Sequence, residues 1–290
     1  MKKIIILIPV FNDWESLNKL LNEINNSIQH IRNYEFSCIV INDSSSINQT
    51  KISLKSNIKS LNIINMKENR GHARCNAFGL RYICKNETFD YVILMDGDGE
   101  DRPIEIIDLV EKITIYPDNS VVAKRIKRSE GPIFQTMYQL HKLVTYIFTG
   151  KKINFGNYSC LTKQDTEILS DKSSLWNSYS GSVKKYLKKF NEIKSTRGIR
   201  YYGPSKMSLL NLVIHSFSII SVFKYQVFLR SSFAIIILSF LNNFIGVGSI
   251  MLQILLVIFN LLIFIISLRE NKTAFFESHQ NVIDEKKITH

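Results

Sequence analysis

An apolar run that stops in a burst of acid is the feature that most constrains this chain. Tyr91-Val92-Ile93-Leu94-Met95 leads into Asp96-Gly97-Asp98-Gly99-Glu100-Asp101-Arg102-Pro103, so four carboxylates fall within six positions. The run is short, apolar and cut off by glycine and proline, and it reads as a buried strand. Its end then sets Asp96, Asp98, Glu100 and Asp101 at the carboxyl edge of a sheet, where open α/β sheets bind ligands. Carboxylates packed so closely repel one another, and burying them is costly without counter-charge. A divalent cation is the natural remedy. Hard oxygen ligands favour Mg²⁺ or Mn²⁺, ions that commonly hold substrate phosphates. The plainer reading is a solvated acidic turn before a helix opening at Pro103, and the preceding strand argues against it.

Upstream, strands and helices alternate. Ile4 to Val10 is a continuous apolar run, as expected of a buried strand in a parallel sheet. It ends at Pro9-Val10-Phe11-Asn12-Asp13, and Asp13 is placed to cap a helix whose Leu17, Leu20, Leu21, Ile24 and Ile28 have helical spacing. Phe36 to Ile41 is a second strand, ending at Asn42-Asp43-Ser44-Ser45-Ser46. Leu61 to Met66 is a third, ending at Lys67-Glu68-Asn69-Arg70-Gly71, with a helix from His72 to Cys84. After the acidic turn come a helix from Pro103 to Ile115 and a strand from Ser120 to Ala123, which ends in Lys124-Arg125-Ile126-Lys127-Arg128. This βαβ alternation predicts a parallel, doubly wound sheet with its polar turns on one edge. A ligand there would touch Asp13, Asp43, Arg70 or Arg74, and Asp96 with Asp98.

No G-x-G-x-x-G follows the first strand and no G-x-x-x-x-G-K-[ST] occurs, which argues against a dinucleotide-binding enzyme and a P-loop NTPase. The formal net charge of +12 favours an anionic partner: nucleic acid, a membrane surface or a phosphorylated substrate. The basic residues lack interleaved aromatics in an RNA-binding pattern, so no nucleic-acid partner is expected. Four scattered cysteines without C-x-x-C spacing suggest neither a zinc site nor a disulfide framework.

Past residue 130 the alternation weakens. Ile133 to Phe148 has helical spacing, with Phe134, Met137, Leu140, Val144 and Ile147 roughly on one face, and Phe155 to Cys160 reads as a strand or turn. Lys184, Lys185, Lys188 and Lys189 suggest a solvated helix face. Met207 to Phe223 is apolar with interspersed Ser and His215, and is expected in the membrane interface. From Phe233 to Leu268 no residue is charged. That length suits two tight membrane helices, Ser231 to Val247 and Ser249 to Leu268, turning at Gly246-Val247-Gly248, since one span needs roughly 20 residues. Lys224 and Arg230 before the pair, and Arg269, Lys272, Lys286 and Lys287 after it, put both ends in the cytoplasm. A buried helical hairpin in a soluble domain is the competing reading. The expected organisation is a cytoplasmic catalytic domain over residues 1–205, an interfacial amphipathic region over 206–228, two transmembrane helices over 229–268 and a polar, partly disordered cytoplasmic tail over 269–290.

The order of motifs resembles a known family. The segments 9–13, 42–45, 69–76 and 95–103, then Arg125-x-x-Arg128-x-x-Gly131, Phe155-Gly156-Asn157-Tyr158, Gly203-Pro204-Ser205-Lys206 and a C-terminal apolar pair together resemble the inverting GT-A glycosyltransferases. Within them, the chain looks most like the polyprenyl-phosphate sugar synthases of the dolichyl-phosphate mannose synthase type. The resemblance implies a GT-A doubly wound, mostly parallel α/β sheet followed by an interfacial helix and a transmembrane helical hairpin. It implies a nucleotide-sugar donor bound by Pro9, Phe11, Asp13, Asp43, Gly71, Arg74 and Asp96, and a divalent metal on Asp96 and Asp98, with Glu100 as a further candidate. It implies an acceptor phosphate on Arg125, Arg128, Ser205 and Lys206, and catalytic roles for Asp96, Asp98 and Arg125. A homo-oligomer is compatible with it. The chain departs from the family in Asp13 where Glu is usual, Glu100 where Gln is usual, Arg102 where Pro is usual, and in lacking a second arginine in the helix after Arg128, for which Lys142 is a weak substitute.

A metal on Asp96 and Asp98 would neutralise a leaving nucleoside diphosphate. A lipid-phosphate acceptor is already an anion and needs no strong base, in keeping with His72 as a turn or nucleotide contact. Arg125 and Arg128 would hold that phosphate, although a basic cluster facing anionic lipid head groups is a simpler role for them. The expected activity is therefore transfer of one sugar, with inversion, to a polyprenyl phosphate on the cytoplasmic face. A lipid-linked saccharide or another hydroxyl acceptor, and an inactive membrane-bound GT-A scaffold, are the alternatives. A processive synthase is disfavoured because no Gln-x-x-Arg-Trp occurs.

Overall fold

The computed structural model describes residues 1–127, 132–204 and 208–289. In chain order its elements are β1 (Lys2–Val10), α1 (Trp14–Ile28), β2 (Tyr34–Asn42), β3 (Ile58–Met66), α2 (His72–Asn86), β4 (Tyr91–Leu94), α3 (Ile106–Ile115), β5 (Val121–Lys127), α4 (Pro132–Thr149), β6 (Phe155–Thr162), α5 (Lys163–Ser170), α6 (Tyr179–Tyr186), β7 (Asn191–Thr196), α7 (Leu209–Ser221), α8 (Lys224–Phe240), α9 (Asn242–Ile245), α10 (Val247–Ser267), α11 (Lys272–Phe276) and β8 (Val282–Thr289).

The strands form one sheet in the order β7-β5-β6-β4-β1-β2-β3-β8. β1 pairs parallel with β2 and β4, β2 with β3, and β5 with β7. β6 runs antiparallel between β4 and β5, and β8 runs antiparallel along β3. The mostly parallel doubly wound expectation therefore holds, with an antiparallel insertion at β6 and an antiparallel edge at β8.

β1 shows why the central strands read as unbroken apolar runs. Successive side chains point to opposite faces, and both faces are covered. Ile4, Ile6 and Ile8 pack with Leu17, Leu20, Leu21 and Ile24 of α1 and with α3. Ile5 and Leu7 pack on the other face with Ala77, Phe78 and Leu80 of α2 and with α5 and α6. The apolar positions expected of α1 are all buried.

The segment after α10 is polar, as its sequence reads, and it is ordered where partial disorder was expected. Residues 282–289 are the edge strand β8, which pairs with nearly the whole of β3. Its alternating, charged sequence hides the strand from a composition argument, because only one edge and part of one face are covered. The expected face of α4 is also revised: Leu140 and Ile147 are exposed, while Val144 and Phe148 pack against the apolar helices, and the side chains of Phe134 and Met137 lie outside the described residues.

Among the described residues one helix, Val247–Phe276, is long and apolar enough to cross a membrane, and little of it is buried in the molecule. Leu210–Ser221 and Lys224–Phe240 pass the same test only together, as a pair bent by 88°. α8 packs along α10, and the Ser249 hydroxyl donates to the Leu238 carbonyl at 2.7 Å. The break between them falls at Gly246, whose φ of +64° suits glycine.

Gly79 of α2 sits directly on Leu7: a β-carbon there would lie 2.4 Å from a Leu7 methyl. Gly79→Ala is expected to destabilise the protein by about 1–3 kcal/mol through overpacking. Leu7→Ala alone costs about 2–5 kcal/mol, and in a double-mutant cycle read by thermal unfolding the combined loss is expected to be less than the sum of the two, because Leu7→Ala removes the clashing methyls.

Candidate functional site

The carboxyl ends of β1, β2, β3 and β4 meet on one edge, and each contributes a polar turn. At the end of β2, Asp43 is 4% exposed and accepts the backbone amides of Arg70 and Gly71, both at 2.8 Å. The loop after β3 is thus fastened to β2 by a carboxylate. At the end of β1, Asn12 accepts the Ile47 amide at 3.0 Å and donates its own to Ser45 at 2.8 Å, tying that turn to the loop after β2. Pro9 is buried within β1, and Phe11 beyond it is exposed at the edge. Asp13 occupies the N-cap position of α1 without capping it. Its carboxylate accepts from Ser16 at 2.6 Å and pairs with Arg200 instead.

The acidic turn after β4 is built inward. Asp101, 5% exposed, accepts the Asp96 amide at 2.9 Å and folds the turn back on itself. His72 at the start of α2 donates to Asp96 at 2.8 Å, and Asn157 of β6 reaches the same oxygen at 3.4 Å. Asp98 accepts from Arg200 at 2.8 Å and from the Glu100 amide at 3.0 Å. Glu100 pairs with Arg197. Arg125 of β5 lies 3.9 Å from Asp101 and against Gly156.

The electrostatics follow from this crowding. Burial and the neighbouring charges of Asp96 and Glu100 push the Asp98 carboxyl up to about 6. Burial and Asp96 push Asp101 up to about 7. Burial disfavours the Asp96 charge too, yet His72 and Arg125 outweigh it and hold that carboxyl below its ordinary range. Burial lowers His72, and the facing carboxylates more than reverse this, so its pKa is raised. Burial and Arg269 lower Arg74 to about 10.

Two arginines absent from the sequence reasoning dominate this arrangement. Arg197 and Arg200 come from the loop after β7, which lies on the acidic turn: Gly198 donates to the Glu100 carbonyl at 2.8 Å and Tyr201 to the Asp98 carbonyl at 3.0 Å. Gly99, at φ +89°, makes room, since a β-carbon there would lie 2.4 Å from the Tyr201 ring. The only signal in the sequence was a pair of arginines in a Gly- and Tyr-rich loop following a strand. As placed here, Asp98 and Glu100 each face an arginine and Asp96 faces the His72 ring, and among the described residues no three His, Cys, Asp or Glu groups form a metal shell. The Glu100 carboxylate pairs with Arg197 in this arrangement. Arg128, Ser205 and Lys206 lie outside the described residues.

A sheet edge that gathers an amide-binding carboxylate, an acidic turn and a half-buried arginine on a mostly parallel scaffold is in keeping with a nucleotide-sugar-dependent GT-A transferase. The family model for glycosyl transferase family 2 matches residues 5–178, and the chain belongs to that family. It is 24% identical over 268 residues to the undecaprenyl-phosphate 4-deoxy-4-formamido-L-arabinose transferase of Proteus mirabilis (strain HI4320), covering 90% of this chain and 78% of that one. Its fold is similar to mannosyl-3-phosphoglycerate synthase from Rubrobacter xylanophilus, with TM-score 0.54, 10% identity, and 76% and 72% of the two chains covered. It is also similar to glucosyl-3-phosphoglycerate synthase from Mycobacterium tuberculosis, solved with Mn²⁺, UDP-glucose and phosphoglyceric acid, with TM-score 0.52, 13% identity, and 78% and 80% covered.

Asp43→Asn is expected to loosen the loop after β3, because the amide offers one acceptor and turns an N–H toward a backbone N–H. The loss is about 1–3 kcal/mol, read as faster hydrogen exchange at residues 67–74. Arg200→Lys keeps the charge but cannot bond Asp13 and Asp98 together. It is expected to lower sugar-transfer kcat/KM by about tenfold or more, measured as nucleotide released from a nucleotide-sugar donor.

Proposed function

We propose that this glycosyltransferase moves one sugar, with inversion, from a nucleotide-sugar donor to a polyprenyl phosphate at the cytoplasmic face of a membrane. The observation that carries the reading is Arg125, a half-buried cation directly beside the acidic turn at 3.9 Å from Asp101. One edge thereby offers a place for a leaving diphosphate and, next to it, a guanidinium for an incoming phosphate. The named acceptor of the Proteus mirabilis relative is a polyprenyl phosphate, which supports the same choice.

The residues fit a divalent ion by chemistry. Asp96 and Asp98 are hard oxygen donors, and burial together with the neighbouring charges of Asp96 and Glu100 raises the Asp98 pKa to about 6. Asp96 and Asp98 would hold Mg²⁺ or Mn²⁺, which supplies charge neutralisation of the leaving diphosphate. Arg125 orients the acceptor phosphate, by itself or with Arg128. Asp43 holds the amides of residues 70 and 71 in place for the nucleoside. His72 is engaged by Asp96 and is not a free base, which suits a nucleophile already ionised near neutral pH.

Topology supports a membrane hairpin. β7 precedes the apolar helices and β8 follows them, and both belong to one sheet. A chain that leaves and returns to one side of a bilayer crosses an even number of times, so α10 needs one partner span, and α8 packs along it. Lys224 and Arg230 in the first two turns of α8, and Arg269 and Lys272 beyond α10, favour the cytoplasmic side.

The test is turnover in detergent with Mg²⁺ or Mn²⁺, a panel of nucleotide sugars and undecaprenyl phosphate. The expected product is a lipid heavier by one sugar, lost with chelator and in Asp98→Ala, and reduced about a hundredfold in Arg125→Ala. Donor consumption only with a hydroxyl-bearing glycolipid would sink the acceptor assignment.

A further inference from the structure

The segment that follows α10 reaches the donor side of the site. β8 runs antiparallel to β3 and begins with Val282 opposite Met66, the last residue of β3. The carboxyl end of β3 belongs to the ligand edge, so the residues just before β8 are delivered there. Ser278 and Asn281 are the ones that arrive, 2% and 3% exposed. Together with Asp43, Arg70 and Arg74 they line a narrow cleft behind the loop after β3.

Asn281 holds that loop at two points. Its carbonyl accepts the Lys67 amide at 2.7 Å, and its Nδ2 donates to the Glu68 carbonyl at 3.1 Å. Its remaining polar atom, Oδ1, is buried and has no hydrogen-bond partner. A buried acceptor without a donor is costly and is seldom left so unless a ligand or water supplies the donor. Asp43, whose two oxygens accept the amides of Arg70 and Gly71, is itself an acceptor and offers Oδ1 no donor.

The segment is firmly anchored. Glu270 accepts from Ser173 at 2.6 Å. Phe275 is fully buried, edge-on to Trp176 and 4.5 Å beneath the Arg81 guanidinium. Asp284 accepts from Asn65 at 2.5 Å and Glu285 from Tyr82 at 2.7 Å. A wall so fixed can discriminate between ligands by shape and hydrogen bonding.

We propose that residues 278–281 form one wall of the nucleoside site, with Asn281 Oδ1 accepting an N–H of the donor's base. The ligand is a nucleoside diphosphate whose base turns a ring or exocyclic N–H toward Asn281. The proposal rests on the donor reading given above and adds to it a contact from beyond the apolar helices.

The full chain in detergent is titrated calorimetrically with the diphosphates of uridine, guanosine, cytidine and thymidine in the presence of Mn²⁺, and separately with inorganic pyrophosphate. In Asn281→Ala the preferred nucleotide is expected to bind about tenfold more weakly and the difference between bases to narrow, while pyrophosphate binding is unchanged. In the unaltered protein, amides of residues 272–289 are expected to gain protection from hydrogen exchange with the nucleotide and not with pyrophosphate. A variant that binds nucleotides as tightly and selectively as the parent, or loses pyrophosphate in proportion, overturns the assignment, as does unchanged protection of 272–289. If the parent protein binds pyrophosphate but none of the nucleotides, the donor reading falls and this one with it.

Discussion

Everything at the ligand edge depends on how negative charge is compensated at the end of β4. Strand geometry forces Asp96, Asp98, Glu100 and Asp101 into one turn, and burial of Asp101 leaves little water to screen them. The chain answers with Arg200 on Asp98, Arg197 on Glu100, His72 on Asp96 and Arg125 near Asp101. A hydrogen bond to a charged group contributes about 1.5–3 kcal/mol net, and removing one member of a buried pair costs more, because its partner is left uncompensated. The loop after β7 is consequently drawn onto the acidic turn. Its close backbone approach needs Gly99 and Gly198, since a β-carbon at Gly198 would lie 2.7 Å from the Gly99 carbonyl.

The sheet joins parts of the chain that the apolar helices separate. β7 and β8 lie at its opposite edges, and between them in sequence run α7 to α10. Buried contacts fasten those helices to the catalytic layer from both sides: Asn177 donates to Ser221 of α7 at 2.7 Å and to the Ile266 carbonyl of α10 at 3.3 Å, and Lys185 of α6 donates to the Val222 carbonyl at 2.8 Å. Lys185 read as part of a solvated helix face in the sequence, yet its ammonium closes the end of α7. The orientation of the apolar helices is set by hydrogen bonds, which are directional, as well as by packing, which is not.

Legibility in the sequence followed burial. β1 and β4 were plain because both their faces are covered, so every position from Ile4 to Val10 and from Tyr91 to Leu94 is apolar. α1 was plain because one face of it is. β8 was invisible because an edge strand with charged residues carries neither signal. The same rule divides the site. Asp96, Asp98 and Asp43 could be placed from the strands that precede them, since a strand fixes where its end lies. The partners of those acids could not, because Arg197 and Arg200 reach them through a loop more than ninety positions away, at separations of 97 and 102 residues for the pairs to Glu100 and Asp98. Charge balance demanded cations near the acids without saying which ones, and the sequence reasoning assigned that role to a metal ion alone.

The site is divided between two halves of the sheet, and the division has a chemical consequence. β1, β2, β3 and β8 carry the loop held by Asp43 and Asn281, while β4, β6 and β5 carry the acids, Asn157 and Arg125. The halves share the β1–β4 pairing, which is short because β4 has only four residues. Arg200 spans the same junction with side-chain bonds, from Asp13 at the end of β1 to Asp98 after β4. A guanidinium can exchange carboxylate for phosphate at little geometric cost, since both present paired oxygens to its planar fork. The junction between the two halves is held by the β1–β4 backbone pairing, by the core shared beneath it and by a guanidinium that joins the two acidic ends through charge.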